Sequence, residues 1–203
     1  MRVNVANQIT LLRFALAIAF CVLLTRYDWR EHERLAWIID VCFVLFVVAA
    51  LSDVVDGYVA RRRNQVTSFG RVIDPFVDKV LVCGAFVLML GRNFVNERGM
   101  NLTGVEAWMV VIILGRELLV TGLRGFSEAR GRQYGANVFG KVKMVVQSVT
   151  VCWILLGLTH GRAWAEWLTL RDCLIWATVL ITSLSLIAYL YHARDILAEQ
   201  SRA

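Results

Sequence analysis

The sequence is short of the residues that punctuate and charge a water-soluble domain. Its 203 residues include one proline, and only 19% are charged. Ordinary soluble domains carry about a quarter charged residues, so the deficit argues against that class. Cysteine supplies no disulfide or zinc framework. The five cysteines (Cys21, Cys42, Cys83, Cys152, Cys173) are odd in number, scattered through apolar runs and without a CxxC pair, so they read as small buried hydrophobes. The three histidines, His32, His160 and His192, are isolated from one another and exclude a histidine metal cluster. No repeat, low-complexity tract or linker divides the chain, which reads as one domain over 1–203. The first apolar run lacks a small-residue cleavage site, so no removable signal peptide is expected.

What is present is apolar. Hydrophobic residues make up 58% of the chain and mean hydropathy is +0.60. Apolar runs fall at roughly 8–25, 35–59, 74–91, 105–124, 141–160 and 172–192. At about 20 residues per crossing, the pattern predicts an all-α integral membrane bundle of six transmembrane helices. The net charge of +6 does not argue for nucleic acid, because the basic residues sit beside apolar spans without a soluble aromatic-interleaved face. Anionic head groups and phosphorylated substrates account for them. With the N-terminus inside, 15 of the 22 Lys and Arg fall on the inner side, whereas Arg26, Arg30, Arg34, Arg92, Arg98, Arg162 and Arg171 fall outside. That asymmetry puts the junction of the second and third spans on the cytoplasmic side, and the chain is expected to be a multi-pass protein of the cell inner (cytoplasmic) membrane. Asn101-Leu102-Thr103, in an outer loop, matches a glycosylation acceptor, a triplet common by chance.

One stretch departs from this apolar background. Asp53, Asp56, Gly57, Ala60 and Arg61 fall within an arc of about 140° on a helix. Gly70, Asp74 and Asp78 step round by only about 40° each if their segment is helical. Asp74 before Pro75 reads as an N-cap followed by proline at the first helical position. Four carboxylates at a membrane are unfavourable unless a cation neutralises them. Hard divalent cations such as Mg²⁺ or Mn²⁺ take oxygen ligands of this kind, and two adjacent ions can clamp a phosphoryl group. The glycines leave room for a substrate to approach the backbone, Arg61 offers a forked donor to phosphate, and a carboxylate beside the metals can act as base towards an alcohol. A charge-paired helix end, a cation pathway or a catalytically silent scaffold are the alternatives.

Further cations follow. Arg116-Glu117 lies about two turns before the inner end of the fourth span, and Arg124 is on nearly the same face. Lys141-Val142-Lys143 opens the fifth span after Gly140. Charges there should face the bundle interior. Arg116, Arg124, Lys141 and Lys143 around one inner mouth suit an anionic phosphate, or they serve positive-inside anchoring and structural pairing. Arg130 and Arg132 fit anchoring better. Ahead of the first span, Asn7, Thr10 and Arg13 share a helical face, as a cap and anchor or as substrate contacts.

The spacing Asp53-x2-Asp56-Gly57-x2-Ala60-Arg61-x8-Gly70-x3-Asp74-x3-Asp78 resembles, at all eight positions, the signature of the CDP-alcohol phosphotransferase family. The resemblance implies that family's six-helix membrane fold, often a homodimer, and a cytoplasm-facing site for two divalent ions. It implies transfer of a phosphatidyl group from a CDP-linked donor to an alcohol, with release of CMP. By the same resemblance Asp53, Asp56 and Asp74 hold the metals and Asp78 is a shared ligand and the base. Asp53, Gly57, Ala60, Arg61 and Gly70 would contact the CDP moiety. Asn7-x2-Thr10-x2-Arg13, Asp74-Pro75-x2-Asp78-Lys79, Arg116-Glu117 with Arg124, and Gly140-Lys141-Val142-Lys143 extend the likeness to the bacterial branch that joins CDP-diacylglycerol to glycerol 3-phosphate. Ala6 and Met144 depart from it, standing where proline and threonine are common. Inositol phosphate, phosphatidylglycerol or serine are the alternative acceptors.

Overall fold

The architecture follows from runs of helix-forming apolar residues interrupted by short polar turns. In this computed structural model the backbone is described for residues 5–63, 68–128, 138–161 and 165–200, and side chains for 8, 10–52, 76–126, 140–161 and 165–191. Six long helices occur among the described residues: α1 (Val5–Leu24), α2 (His32–Arg63), α3 (Ser68–Leu88), α4 (Ala107–Glu128), α5 (Val138–Thr159) and α6 (Ala165–Gln200). Single 3₁₀ turns at Trp29–Glu31 and Arg92–Phe94 precede α2 and follow α3. The β pairing among the described residues is one bridge, Val95 with Asn101.

The protein is an all-α membrane bundle. Trp29–Ser52, Gly140–Thr159 and Ala165–Tyr191 are each long and apolar enough to cross a bilayer. The apolar part of α1, Thr10–Leu24, is shorter, and α3 and α4 are interrupted by the charges that the sequence assigns to the bundle interior. Two differences from the sequence reading have local causes. The last helix is 36 residues long, extending well beyond 172–192, because its flanking polar residues are good helix formers and no glycine or proline interrupts them. Helix α3 begins at Ser68, so Asp74 is not an N-cap and Pro75 is an interior residue of the helix. Proline is tolerated inside membrane helices when the freed backbone groups are satisfied locally.

Helix α1 packs against α2 and α3, α5 against α2 and α6, and α4 against α6. Phe20, Phe46, Phe86, Leu81, Ile113 and Leu155 are buried in the shared core. The Phe20 and Phe46 rings meet at 5.6 Å, tilted by 56°, a favourable edge-biased geometry. Gly84 lets α1 come close, since a Cβ there would sit 3.3 Å from Cys21 Sγ. Lipid tails offer no hydrophobic drive between helices, so polar contacts matter more. The α5–α6 seam has Thr150 and Thr178 hydroxyls at 2.8 Å, and Gln147 Nε2 donates to Thr182 Oγ1 at 3.4 Å. Exposed Val111, Leu118, Leu180, Leu184 and Ile187 form the apolar outer surface.

The five cysteines are free, and Cys173 is exposed on α6 instead of buried. The loop between α3 and α4 is held by its own side chains. Asn101 Nδ2 donates to Met89 O at 2.9 Å and its Oδ1 accepts from the Thr103 amide at 3.0 Å. The amide of the Asn-Leu-Thr triplet is thereby committed to a turn. Asp40 pairs with His160 Nε2 at 3.3 Å near the opposite end of the bundle from the basic cluster.

Candidate functional site

Between α3, α4 and α5 lies a cavity of about 270 Å³, near the lower end for small-molecule sites. Three helices contribute to it at one-turn spacings. From α3 come Asp78, Lys79, Val82 and Cys83; from α4, Arg116, Glu117 and Arg124; from α5, Gly140, Lys141, Lys143, Met144 and Gln147. The spacing is that of helix faces: Asp78 to Val82 and Lys143 to Gln147 are four residues apart, and Arg116 to Arg124 two turns. Among the described residues five cations and two carboxylates line one small space, an excess of three positive charges.

The buried part of this cluster is organised by Glu117. Arg116, Glu117 and Lys143 are all under one-tenth exposed. Glu117 Oε1 accepts from Arg116 Nη1 at 3.1 Å and also from Lys143 Nζ. Arg116 Nη2 donates to Ser185 Oγ of α6 at 2.6 Å. Among the described residues its Nε is buried without a hydrogen-bond partner, a donor left unsatisfied at a cost of about 1–3 kcal/mol. Lys79 Nζ donates to Thr121 Oγ1, which itself donates to Glu117 O at 2.7 Å. Arg124 and Lys141 are the exposed cations. One carboxylate therefore answers two fully buried cations, and the remaining charge faces the cavity, where an anion is the complement.

A Cβ at Gly140 would lie 4.0 Å from both Arg116 Nη2 and Arg124 Nη2. Both guanidinium groups thus converge on the start of α5, at ordinary van der Waals distance from that point.

Asp78 forms the opposite wall. Its side chain is about one-third exposed, and one oxygen lies 3.5 Å from Arg13 Nη1, whereas the Arg13 side chain is only 1% exposed. Arg13 and Thr10, both buried, come from α1. Neither is among the cavity-lining residues. Arg13 therefore reaches the site through Asp78.

The structure brings together Asp78, Arg116, Arg124, Lys141 and Lys143 from the sequence-predicted set. The side chains of Asn7, Asp53, Asp56, Ala60, Arg61 and Asp74, with Gly57 and Gly70, lie outside the described residues, as do Arg130 and Arg132. Their backbones from 53 to 63 and from 68 to 78 are helical. Asp53 and Asp56 are thus one turn apart on α2, and Asp74 and Asp78 one turn apart on α3. Among the described residues no three His, Cys, Asp or Glu side chains converge as a metal centre. The donor chemistry nonetheless fits divalent cations, because four carboxylates supply hard oxygen ligands in two helical pairs.

The sequence reading did not single out Ser185, Tyr189 or Gln147. Tyr189 is buried on α6; its hydroxyl accepts from Arg124 Nη2. Its ring centroid lies 5.3 Å from Arg116 Cζ and 5.5 Å from Arg124 Cζ. The available signal was the four-residue spacing of Ser185 to Tyr189, polar positions on one face of an otherwise apolar helix.

A family profile described as CDP-alcohol phosphatidyltransferase matches residues 3–184. A Bacillus subtilis (strain 168) protein named CDP-diacylglycerol–glycerol-3-phosphate 3-phosphatidyltransferase is 37% identical over 158 residues, covering 75% of this chain and 77% of that protein. Proteins of the same name from Salmonella paratyphi A (31%) and Shigella flexneri serotype 5b (32%) are similar over 206 aligned residues, 98% of this chain and 100% of each relative.

Proposed function

The chain belongs to the CDP-alcohol phosphatidyltransferase family, and from that premise we propose that the cation-lined cavity is the acceptor half of its active site. The protein is a transferase of phospholipid biosynthesis. It moves the phosphatidyl group of CDP-diacylglycerol to glycerol 3-phosphate, giving phosphatidylglycerophosphate and CMP. The observation that carries the site assignment is the convergence of Asp78 with Arg116, Arg124, Lys141 and Lys143 on one cavity. A carboxylate suits an alcohol proton, and forked or mobile cations suit a phosphate.

In this reading the phosphate of glycerol 3-phosphate lies among Arg116, Arg124, Lys141 and Lys143. Its free primary hydroxyl faces Asp78. The Asp78 carboxylate takes the hydroxyl proton as the oxygen attacks the β-phosphorus of CDP-diacylglycerol, and the bond to the departing CMP oxygen breaks. Arg13, 3.5 Å away, orients the Asp78 carboxylate. The buried Glu117 holds Lys143 and Arg116 in place against their mutual repulsion. Asp53, Asp56 and Asp74, with Asp78, would hold two Mg²⁺ or Mn²⁺ ions, which when bound stabilise charge on the transferring phosphoryl group. Asp53, Gly57, Ala60, Arg61 and Gly70 would contact the CDP moiety. The acyl chains remain in the bilayer beside the apolar outer helix faces.

The same reading sets the protein in the inner membrane, with the cavity on the cytoplasmic side where soluble glycerol 3-phosphate is available. The inner excess of 15 among 22 basic residues supports that sidedness. Two copies would form the homodimer implied by the family.

The deciding experiment gives purified protein CDP-diacylglycerol, Mg²⁺ or Mn²⁺, and one acceptor at a time, following CMP release. Glycerol 3-phosphate should support turnover; inositol phosphate, phosphatidylglycerol and serine should not. Release with another acceptor alone would reassign the cavity, and no release with any would remove the enzymatic reading. A second expectation concerns Lys141, an exposed cavity cation. Lys141→Ala should raise the KM for glycerol 3-phosphate by about 10-fold, the loss of a charged hydrogen bond of roughly 1.5 kcal/mol. The KM for CDP-diacylglycerol should stay within about twofold. Equal rises for both substrates would argue against the phosphate pocket.

A further inference from the structure

We infer that Tyr189, with Ser185 one turn before it, is a positioning residue that sets the acceptor-phosphate grip from behind, through Arg116 and Arg124. The inference rests on the acceptor reading above and adds a helix to the site, since none of the described side chains of α6 lines the cavity wall.

Two guanidinium groups are difficult to hold side by side. Arg116 and Arg124 both come within 4.0 Å of the point where a Gly140 Cβ would stand, so without a ligand they repel across a short gap in a partly desolvated site. Glu117 answers Arg116 and Lys143. Arg124 has its hydrogen bond instead to the Tyr189 hydroxyl. The Tyr189 ring serves both cations at once, with Cζ atoms 5.3 and 5.5 Å from its centroid, inside the range for cation–π attraction. Ser185 Oγ accepts from Arg116 Nη2 at 2.6 Å. Ser185 and Tyr189 are both buried, 0% and 3% exposed, so their rotamers are fixed by packing. An aromatic face and two hydroxyl oxygens thus hold two cations in place without neutralising them, and their charge stays available to an incoming dianion. A carboxylate in the same place would compete with the substrate phosphate; a tyrosine does not. Fixing donors before the ligand arrives strengthens the grip by reducing what binding must order.

The test compares Tyr189→Leu, Tyr189→Phe and wild type by CMP release, with both substrates varied. Tyr189→Leu removes ring and hydroxyl and should raise the KM for glycerol 3-phosphate by about 10-fold, with the KM for CDP-diacylglycerol within about twofold. Tyr189→Phe keeps the ring and should recover most of the loss, leaving a rise of about threefold. In an Arg124→Gln background Tyr189→Phe should add nothing further, because the hydroxyl acts through Arg124. An unchanged acceptor KM in Tyr189→Leu, both KM values rising together, or full additivity with Arg124→Gln would each overturn the inference. Should Tyr189→Leu fail to elute as wild type in detergent, the Tyr189→Phe cycle decides alone. A wild-type protein inactive with glycerol 3-phosphate would instead remove the acceptor reading itself, which keeps the two failures apart.

Discussion

Asp78→Asn should lower CMP release by about 10²–10⁴-fold, the contribution of a positioned general base, while the protein remains folded. The carboxamide is nearly the size of the carboxylate and keeps an oxygen for Arg13, which stands 3.5 Å away and is buried to 1% exposure. The apolar packing of Val77 and Leu81 on the same helix is untouched. What the amide cannot do is take a proton from an alcohol or offer an anionic ligand to a divalent ion. The loss should therefore appear in kcat at saturating glycerol 3-phosphate, since the four cations that would grip the phosphate are all retained. Elution in detergent and melting temperature should stay close to wild type. Turnover within a few-fold of wild type would end the assignment of Asp78 as base, whatever held the acceptor.

Much of this fold could be read from residue chemistry because the signal was repeated. Six apolar runs with the basic residues gathered on one side led to a membrane bundle of six helices, and the all-α membrane fold has that form. Boundaries were less legible where a local motif suggested a stop. Asp74-Pro75 has the composition of a helix start, yet α3 begins six residues earlier at Ser68, since proline inside a membrane helix is tolerated more readily than in water. For the cavity, Arg116, Arg124, Lys141 and Lys143 stood out because charges are rare in such runs. Tyr189 and Ser185 did not, being common residues of an apolar helix whose meaning depends on which neighbours they meet across 60 or more positions of sequence. Arg13 was visible as a charge, but its partner was not. Only the packing of α1 on α3 brings it to Asp78. Spacing within one helix can be read from sequence; pairing between helices requires the fold.

The second large effect is expected at Glu117, and it falls on stability. Glu117→Ala removes the acceptor shared by Arg116 Nη1 and Lys143 Nζ, leaving two cations buried at 5% and 6% exposure without their carboxylate. Breaking a buried pair from one side costs about 3–5 kcal/mol, because the surviving charge keeps its desolvation penalty. For a chain of this length that corresponds to a melting temperature lower by on the order of 10 °C. Removing Lys143 as well should restore much of the loss, since Arg116 still has Ser185 and the Tyr189 ring. The double variant Glu117→Ala/Lys143→Ala should therefore melt above Glu117→Ala alone while remaining impaired with glycerol 3-phosphate. The cavity also predicts a rescue. A phosphate dianion entering among these cations substitutes for the missing carboxylate, so glycerol 3-phosphate should stabilise Glu117→Ala more than wild type. Saturation at about 100 times the dissociation constant yields roughly 2.7 kcal/mol for a ligand bound only by the folded state. Thermal unfolding in detergent, with and without glycerol 3-phosphate, measures all three effects. If Glu117→Ala melts with wild type, or the double variant melts below both single variants, Glu117 is not the counter-charge of this cluster. The surplus of positive charge must then be balanced from elsewhere in the bundle.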